Sequence, residues 1–319
     1  MLVNMLGYDT INWRVDVASL NAEALNQLGE LLPKEGFNSS TGARWQSGAI
    51  ENLKASLSEN GLILDGSIAK FLHGDNTVTV SRREIGRALE KLSDIVHVDM
   101  SKAEVRRLDI STSLQMKHKV QAYLNVLGTL TFFSRTNVSK NTLYYQRGEQ
   151  CKQALIFYDK EREIKDKHTS NIFPKPFKDT SNVLRYEARL LKQVAQQTGE
   201  NRVTGAMLSD ETYFHKLAKF WGDSYFSIQK TYKDIDISKI KTPAEAKDCL
   251  LAHLLTDAGA QVADKFLTDL KAVGAFSNRL YYSRLKQSLK ETMKRYNDTE
   301  GESLALELDN AVRTELSYL

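Results

Sequence analysis

Residues 183–190, VLRYEARL, decide the fold class. Leu184, Tyr186, Ala188 and Leu190 fall on one side of a two-residue alternation, and Arg185, Glu187 and Arg189 on the other. Side chains alternate across a strand, so the stretch reads as a strand with one apolar and one charged face. RRLDIS (residues 106–111) repeats the pattern, with Leu108 and Ile110 opposite Arg107, Asp109 and Ser111. ALIFYDKE (residues 154–161) sets Ile156, Tyr158 and Lys160 against Leu155, Phe157 and Asp159. Asp and Glu are poor strand formers. One at the centre of each of two alternating strands therefore points to a site rather than to solvated surface. If the three strands are neighbours in one sheet, Asp109, Tyr158, Lys160 and Glu187 converge.

That set suits metal-assisted phosphoryl transfer. Mg²⁺ typically takes one or two protein carboxylates and completes its octahedron with water and phosphate oxygens, and Asp109 and Glu187 supply that number. A tyrosine that attacks phosphorus forms a phosphotyrosine and keeps the bond available for rejoining. Its phenol ionises near ~10 and needs a cation close by at neutral pH. Lys160, two residues on and on the same face, and the metal both answer that need.

Around these strands the first ~200 residues read as mixed α and β. Strands are expected at 2–16, 49–63, 106–113 and 183–191, and helices at 21–32, 82–92 and 117–127. A Gly/Ser/Thr-rich loop covers 36–48, and GSIAKFLHGDN occupies 66–76 with a turn at Gly74 and Asn76. Residues 130–133 read as extended, and 142–146 with 155–160 as a hairpin around turn residues 147–152. A proline-containing loop is expected at 173–177. After 203 the alternation stops and helical periodicity takes over at 210–220, 243–258, 260–272, 277–296 and 302–316. The expectation is an α+β class chain with a catalytic domain over 1–200, containing an antiparallel sheet, and a smaller all-α region over 203–319.

With 319 residues the chain can bury at least one sizeable core, and no apolar run approaches the ~20 residues of a membrane span. The opening MLVNMLGYDTINWRVD alternates like a strand and does not read as a signal peptide. Cys151 and Cys249 form no disulfide framework and no metal-ligand spacing, which suggests reduced thiols in a cytoplasmic protein. The net charge of +4 permits a polyanionic partner. Basic residues interleave with aromatics at 152–178 and at 279–295, a mixture that suits phosphate contact and base stacking, although for either cluster alone a solvated helix face is the favoured reading. G-x-x-x-x-G-K-[ST], G-x-G-x-x-G and H-E-x-x-H are absent. His97, in HVD, reads as a strand-edge residue before a turn at Ser101.

In order and wording these segments resemble the replication initiators of filamentous phages, the gene II endonuclease family, and more distantly the initiators of rolling-circle plasmids. The matching residues are Arg107-Leu108-Asp109, Tyr158-Asp159-Lys160 and Arg185-Tyr186-Glu187-Ala188-Arg189, preceded by Ser67-Ile68-Ala69-Lys70-Phe71-Leu72-His73-Gly74-Asp75-Asn76. The resemblance implies a DNA strand transferase that nicks single-stranded or locally melted origin DNA. Tyr158 would be its nucleophile, Asp109 and Glu187 its ligands for Mg²⁺ or Mn²⁺, and Lys160, Arg185 and Arg189 its phosphate-neutralising cations. Arg107 is either a DNA contact or a partner of the carboxylates. Arg284, Lys290 and Lys294 on the 277–296 helix are expected on duplex DNA, and a host helicase and polymerase are the expected partners. A mobilisation relaxase with the same chemistry, a catalytically silent origin-binding regulator and an RNA-binding module are the alternatives. The aromatic pairs Phe132-Phe133 and Tyr144-Tyr145 do not fit the stacking pattern of the last.

Overall fold

The computed structural model describes residues 5–37, 39–148, 151–167, 181–230, 240–258, 260–297 and 303–318. In chain order its elements begin with β1 (Gly7–Val15), α1 (Ala22–Leu31), β2 (Lys34–Phe37), β3 (Arg44–Ile50), β4 (Leu53–Ser58) and β5 (Gly61–Ser67). Then come α2 (Ile68–His73), α3 (Ile85–Val96), β6 (Glu104–Gln115), α4 (Val120–Val126), β7 (Ser134–Ser139) and β8 (Thr142–Gln146). β9 (Gln153–Asp159), α5 (Lys160–Lys167), β10 (Val183–Leu190), α6 (Val194–Thr198) and α7 (Glu211–Phe226) follow. The last are α8 (Pro243–Ala258), α9 (Ala260–Ala272), α10 (Arg279–Asn297) and α11 (Leu304–Ser317).

The strands form one antiparallel ten-stranded sheet in the order β2-β3-β4-β5-β1-β6-β10-β9-β8-β7. Its apolar face carries Ile11, Trp13, Leu108, Ile110, Leu155, Phe157, Tyr186 and Leu190, all buried. Helix α7 covers part of that face. Tyr213, Phe214, Leu217, Ala218, Trp221 and Tyr225 recur at its three- and four-residue spacing and are buried. Asp210 caps its first turn by accepting from the Tyr213 amide at 2.7 Å. The stack Phe157–Tyr186, with ring centroids 4.4 Å apart, continues to Trp221 at 4.7 Å from Tyr186.

The contacts divide the chain into two compact units. The sheet unit comprises residues 1–125, 129–229 and 309–319. It therefore runs past the boundary near 200 read from the change of texture. The reason is α7, whose apolar stripe has its complement on the strands. Residues 309–318 join the same unit through Tyr225, which donates to Asp309 at 2.8 Å, and Thr112, which donates to Glu315 at 3.1 Å. The second unit, residues 126–128 and 230–308, carries α8, α9, α10 and the start of α11. Within it α8 packs on α9 and α10, and Lys286 pairs with Asp264 at 3.2 Å.

Several local expectations give way. The region 36–48 is largely strand, because β2 and β3 pair from Lys34↔Ser47 to Phe37↔Arg44. The strand region read at 49–63 holds the end of β3, all of β4 and the start of β5, divided by turns at Glu51, whose φ is 52°, and at 59–60. Residues 130–133 turn rather than extend, with Phe132 at φ 67°. His97 ends α3 in the left-handed region and hydrogen-bonds Glu23 at 2.7 Å, so it caps a helix instead of edging a strand. Gly74 ends α2 with φ 86°, as its turn role requires. The loop expected at 173–177 lies outside the described residues. Among the described residues no helix is long and apolar enough to cross a membrane.

Candidate active site

β10 lies between β6 and β9, so the three chemistry-bearing stretches are neighbours. The register then sets which side chains meet. Arg185 is opposite Ser113 on one side and Tyr158 on the other; Glu187 is opposite Ser111 and Ile156; Arg189 is opposite Asp109 and Ala154. The convergence is thus in part direct and in part relayed. Tyr158 donates to Glu187 Oε1 at 2.7 Å. Asp109 stands at the other end of the Arg185–Glu187–Arg189 row, about 13 Å away along the strand at ~3.3 Å per residue. It reaches Glu187 only through Arg189, whose Nε lies 3.3 Å from Asp109 Oδ2 and whose Nη2 lies 2.7 Å from Glu187 Oε2.

The arginines hold this row together. Arg107 donates to both oxygens of Asp109, at 3.0 and 2.7 Å. Arg185, expected at a DNA phosphate, is fully buried and acts as an internal strut. It donates to Asp9 and Ser111 at 2.8 Å, to Glu187 at 3.2 Å, and to Ser113 and the Asn76 carbonyl at 3.3 Å. Buried among these partners, it has no surface to offer a phosphate. Arg189 and Arg107 keep about a quarter of their side chains exposed. Lys160, the first residue of α5, is also fully buried. Its Nζ donates to Glu163 at 2.8 Å and lies 5.9 Å from the centre of the Tyr158 ring.

Asp9 is a site residue that the alternation hides. Strict alternation puts it on the same face as Ile11 and Trp13. In the sheet, Tyr8 pairs with Ile110 and Ile11 with Leu108, three residues against two. This bulge turns Asp9 and Thr10 together toward the charged face opposite Asp109. Asp9 accepts from Ser67 at 2.9 Å as well as from Arg185, which ties the 67–76 segment to the site. Glu163 is hidden for another reason: α5 starts at Lys160 and turns its first carboxylates back over the strand end.

A cleft of about 570 Å³ opens over this face, lined by Asp9, Ser67, Lys70, Tyr144, Tyr158, Arg162, Glu163, Glu187 and Arg189 among others. Burial pushes the Tyr158 phenol well above its usual range, and the Glu187 carboxylate adds to the rise. Burial likewise opposes charge on Glu187, but Arg189 and Arg185 outweigh it and hold the carboxyl below its ordinary value. Burial brings Lys160 down to about 8, with Arg185 assisting and Glu163 opposing. Burial raises Asp109 to about 6 against the pull of Arg107 and Arg189.

As placed, Asp109 and Glu187 do not fit a directly bound divalent ion. Glu187 accepts from Tyr158, Arg185 and twice from Arg189, and both Asp109 oxygens accept from Arg107. The Arg189 guanidinium bridges the two carboxylates where a shared cation would compete with it. Among the described residues no group of three or more His, Cys, Asp or Glu is placed to hold a metal ion. The remaining expected DNA contacts lie in the helical unit. Arg284 and Lys290 are exposed on α10; Lys294 is on the same helix, its side chain outside the described residues.

Residues 33–213, more than half of the chain, match the phage CRI family, described as the N-terminal part of a replication-associated protein. Among solved structures the chain is similar to a rolling circle replication initiator protein from Geobacillus stearothermophilus. The identity is 13%, over 68% of this chain and 83% of that one, with a TM-score of 0.34. No curated protein matches.

Proposed function

We propose, because the chain belongs to the phage CRI family of replication-associated proteins, that it is a rolling-circle replication initiator that nicks and rejoins origin DNA. The observation that carries this reading is the Tyr158–Glu187 hydrogen bond of 2.7 Å at the floor of a cleft with cations on its walls. The substrate is single-stranded or locally melted origin DNA. The phenol oxygen attacks phosphorus, the bond from phosphorus to the 3′ oxygen breaks, and a 5′-phosphotyrosine results, while the departing 3′ oxygen takes a proton from water and becomes a 3′ hydroxyl. That hydroxyl primes a host polymerase, while a host helicase opens the duplex ahead. The reverse transfer rejoins the displaced strand.

Glu187 takes the phenolic proton. With tyrosine shifted up and the glutamate down, the resting pair keeps that proton on the phenol oxygen. It moves only as the O–P bond forms, which is general-base catalysis in the transition state. Lys160, lowered to about 8, remains largely charged at neutral pH and, buried behind the Tyr158 ring, offsets the charge growing on that side chain. Arg189, partly exposed on the cleft wall, meets the phosphate oxygens. Arg185 is a positioning residue that fixes Glu187 from behind. Mg²⁺ or Mn²⁺, implied by the resemblance, has no step in this reading, because Arg107, Arg185, Arg189 and Tyr158 already fill the oxygens of Asp109 and Glu187.

The test is incubation of the whole protein with supercoiled DNA carrying its origin, followed by detergent denaturation. A covalent protein–DNA adduct is expected, and Tyr158→Phe should abolish it while leaving origin binding within about twofold, since no charge is lost. An adduct formed by the Tyr158→Phe protein would move the nucleophile elsewhere. No adduct from the unaltered protein would leave a silent origin-binding regulator as the reading.

A further inference from the structure

A second cleft, of about 610 Å³, lies at the far end of the edge strand β7 and belongs to no part of the nicking chemistry. Its wall includes Phe132, Phe133, Arg147, Lys216, Lys219 and Phe220. Phe132 is 81% exposed, the most exposed large apolar residue among those described in the chain. It also sits at φ 67°, a left-handed conformation that a bulky side chain adopts only under constraint. A strained backbone that presents a ring to water gains nothing for the folded state from either feature. Strain of this kind clusters at ligand clamps. Beside it the Arg147 guanidinium lies 6.0 Å from the centre of the Phe133 ring.

The two clefts open on opposite faces of the sheet, the second on the side that α7 covers, and the edge strand β7 runs from one to the other. Ser139, at one end of β7, lines the Tyr158 cleft, and Phe133, just before the other end, lines the second. All six residues of β7 are exposed, and among the described residues β7 pairs with β8 alone. The strand spans about 20 Å at ~3.3 Å per residue. Its charge points to a polyanion. None of residues 110–148 is acidic, although the chain holds 40 acidic residues, and the same stretch carries Lys117, Lys119, Arg135, Lys140 and Arg147. Lys216 and Lys219 are each paired, with Glu200 and Asp223, so the positive excess along the path comes from Arg135, Lys140 and Arg147, all exposed.

We propose that β7 and the second cleft form a track for single-stranded DNA, in which a strand leaving the Tyr158 cleft turns round this exposed edge, its phosphates pass Arg135 and Arg147, and an unpaired base stacks on Phe132. Rings beside cations along a groove are the means by which proteins hold single strands without reading sequence. A duplex cannot use such a ring, because its bases are already stacked on one another. The track rests on the nicking reading only for its direction: it gives the strand next to the cleavage point a place to lie while the cut end is held.

The experiment measures anisotropy of labelled single-stranded oligonucleotides of 6 to 30 nucleotides and of a 30-base-pair duplex, with the unaltered full chain and with Phe132→Gly. Loss of one stacked base lowers affinity roughly 5- to 150-fold. The expected result is a loss in that range for long single strands, no change for oligonucleotides too short to reach the second cleft, and duplex affinity within twofold. Glycine tolerates φ 67°, so Tm should not fall, and a folding defect is thereby separated from a binding one. Arg147→Gln should reduce long-strand affinity and its salt dependence together. Equal affinity of Phe132→Gly and the unaltered protein for the 30-nucleotide strand would overturn the track, as would an equal loss on duplex. If no tyrosine adduct forms yet the Phe132-dependent step remains, the nicking reading fails and the track stands.

Discussion

Glu187 illustrates how a residue's type can be legible while its bonds are not. Its place on the polar face of an alternating strand marks it in the sequence alone. The four hydrogen bonds that fill both its oxygens depend on Tyr158 of the neighbouring strand and on two arginines of its own. Asp109 is equally visible, and its titration supplies a prediction. Its folded value of about 6 lies above the ordinary 3.8. Between about pH 4 and 6 the folded protein therefore binds a proton that the unfolded chain has released, and stability falls as pH rises through that window. Above it the loss levels off at roughly 3 kcal/mol, from ~1.4 kcal/mol per unit. Asp109→Asn removes this dependence, so its Tm relative to the unaltered protein should climb from pH 4 to pH 7; parallel Tm curves would refute it. Arg107 can turn to water when its partner is neutralised, since a quarter of its side chain is exposed. Asp9 stays hidden because alternation assumes one residue per pleat, and the bulge breaks that rule at the site itself.

At the scale of elements, α7 fixes the site from the opposite side of the sheet. Tyr186 lies between Arg185 and Glu187 in β10 and points the other way, where its ring stacks on Phe157 and meets Trp221. Its hydroxyl donates to the Trp221 carbonyl at 3.0 Å. A shift of α7 therefore moves Glu187 against Tyr158. Trp221 is fully buried, and large-to-small changes at such positions cost about 3–5 kcal/mol. Trp221→Ala should lower the unfolding free energy in urea by that much and slow nicking below the melting range, whereas Trp221→Phe should recover most of both. A stability loss under about 1 kcal/mol would show that α7 does not buttress the strand. The helix itself is readable from its period. The face it covers is not, and neither are β2 and β3, because ladder partners stabilise strands whose own composition reads as loop.

Across the whole molecule, the charged face of the sheet and the basic helix α10 belong to different compact units. We propose that α10 contacts duplex origin DNA through Arg284, Lys290 and Lys294. Phosphate contacts release counterions, so affinity falls with salt at a log–log slope near −0.9 per neutralised phosphate. Changing the three to glutamine should flatten the slope of duplex binding and leave cleavage of a short single strand nearly as it was. An unchanged slope would assign this helix to solvent. The two-part organisation is visible in the sequence as a change from alternation to helical period. The return of residues 309–318 to the sheet unit is not, since a short amphipathic helix carries no mark of which apolar surface it will cover.

That return has a consequence in time. Gly222 is seated against Leu316, where an added Cβ would come within 2.7 Å of its side chain, and Val312 is buried nearby. Residues 230–308 are made between these two surfaces. At ~5–20 residues per second their synthesis occupies roughly 4–16 s. Throughout that interval the nascent sheet lacks the segment that covers α7 and pairs with Thr112. A chain completed in this order acquires its final packing only after its helical unit has been translated, so the finished sheet unit never precedes the helices made with it.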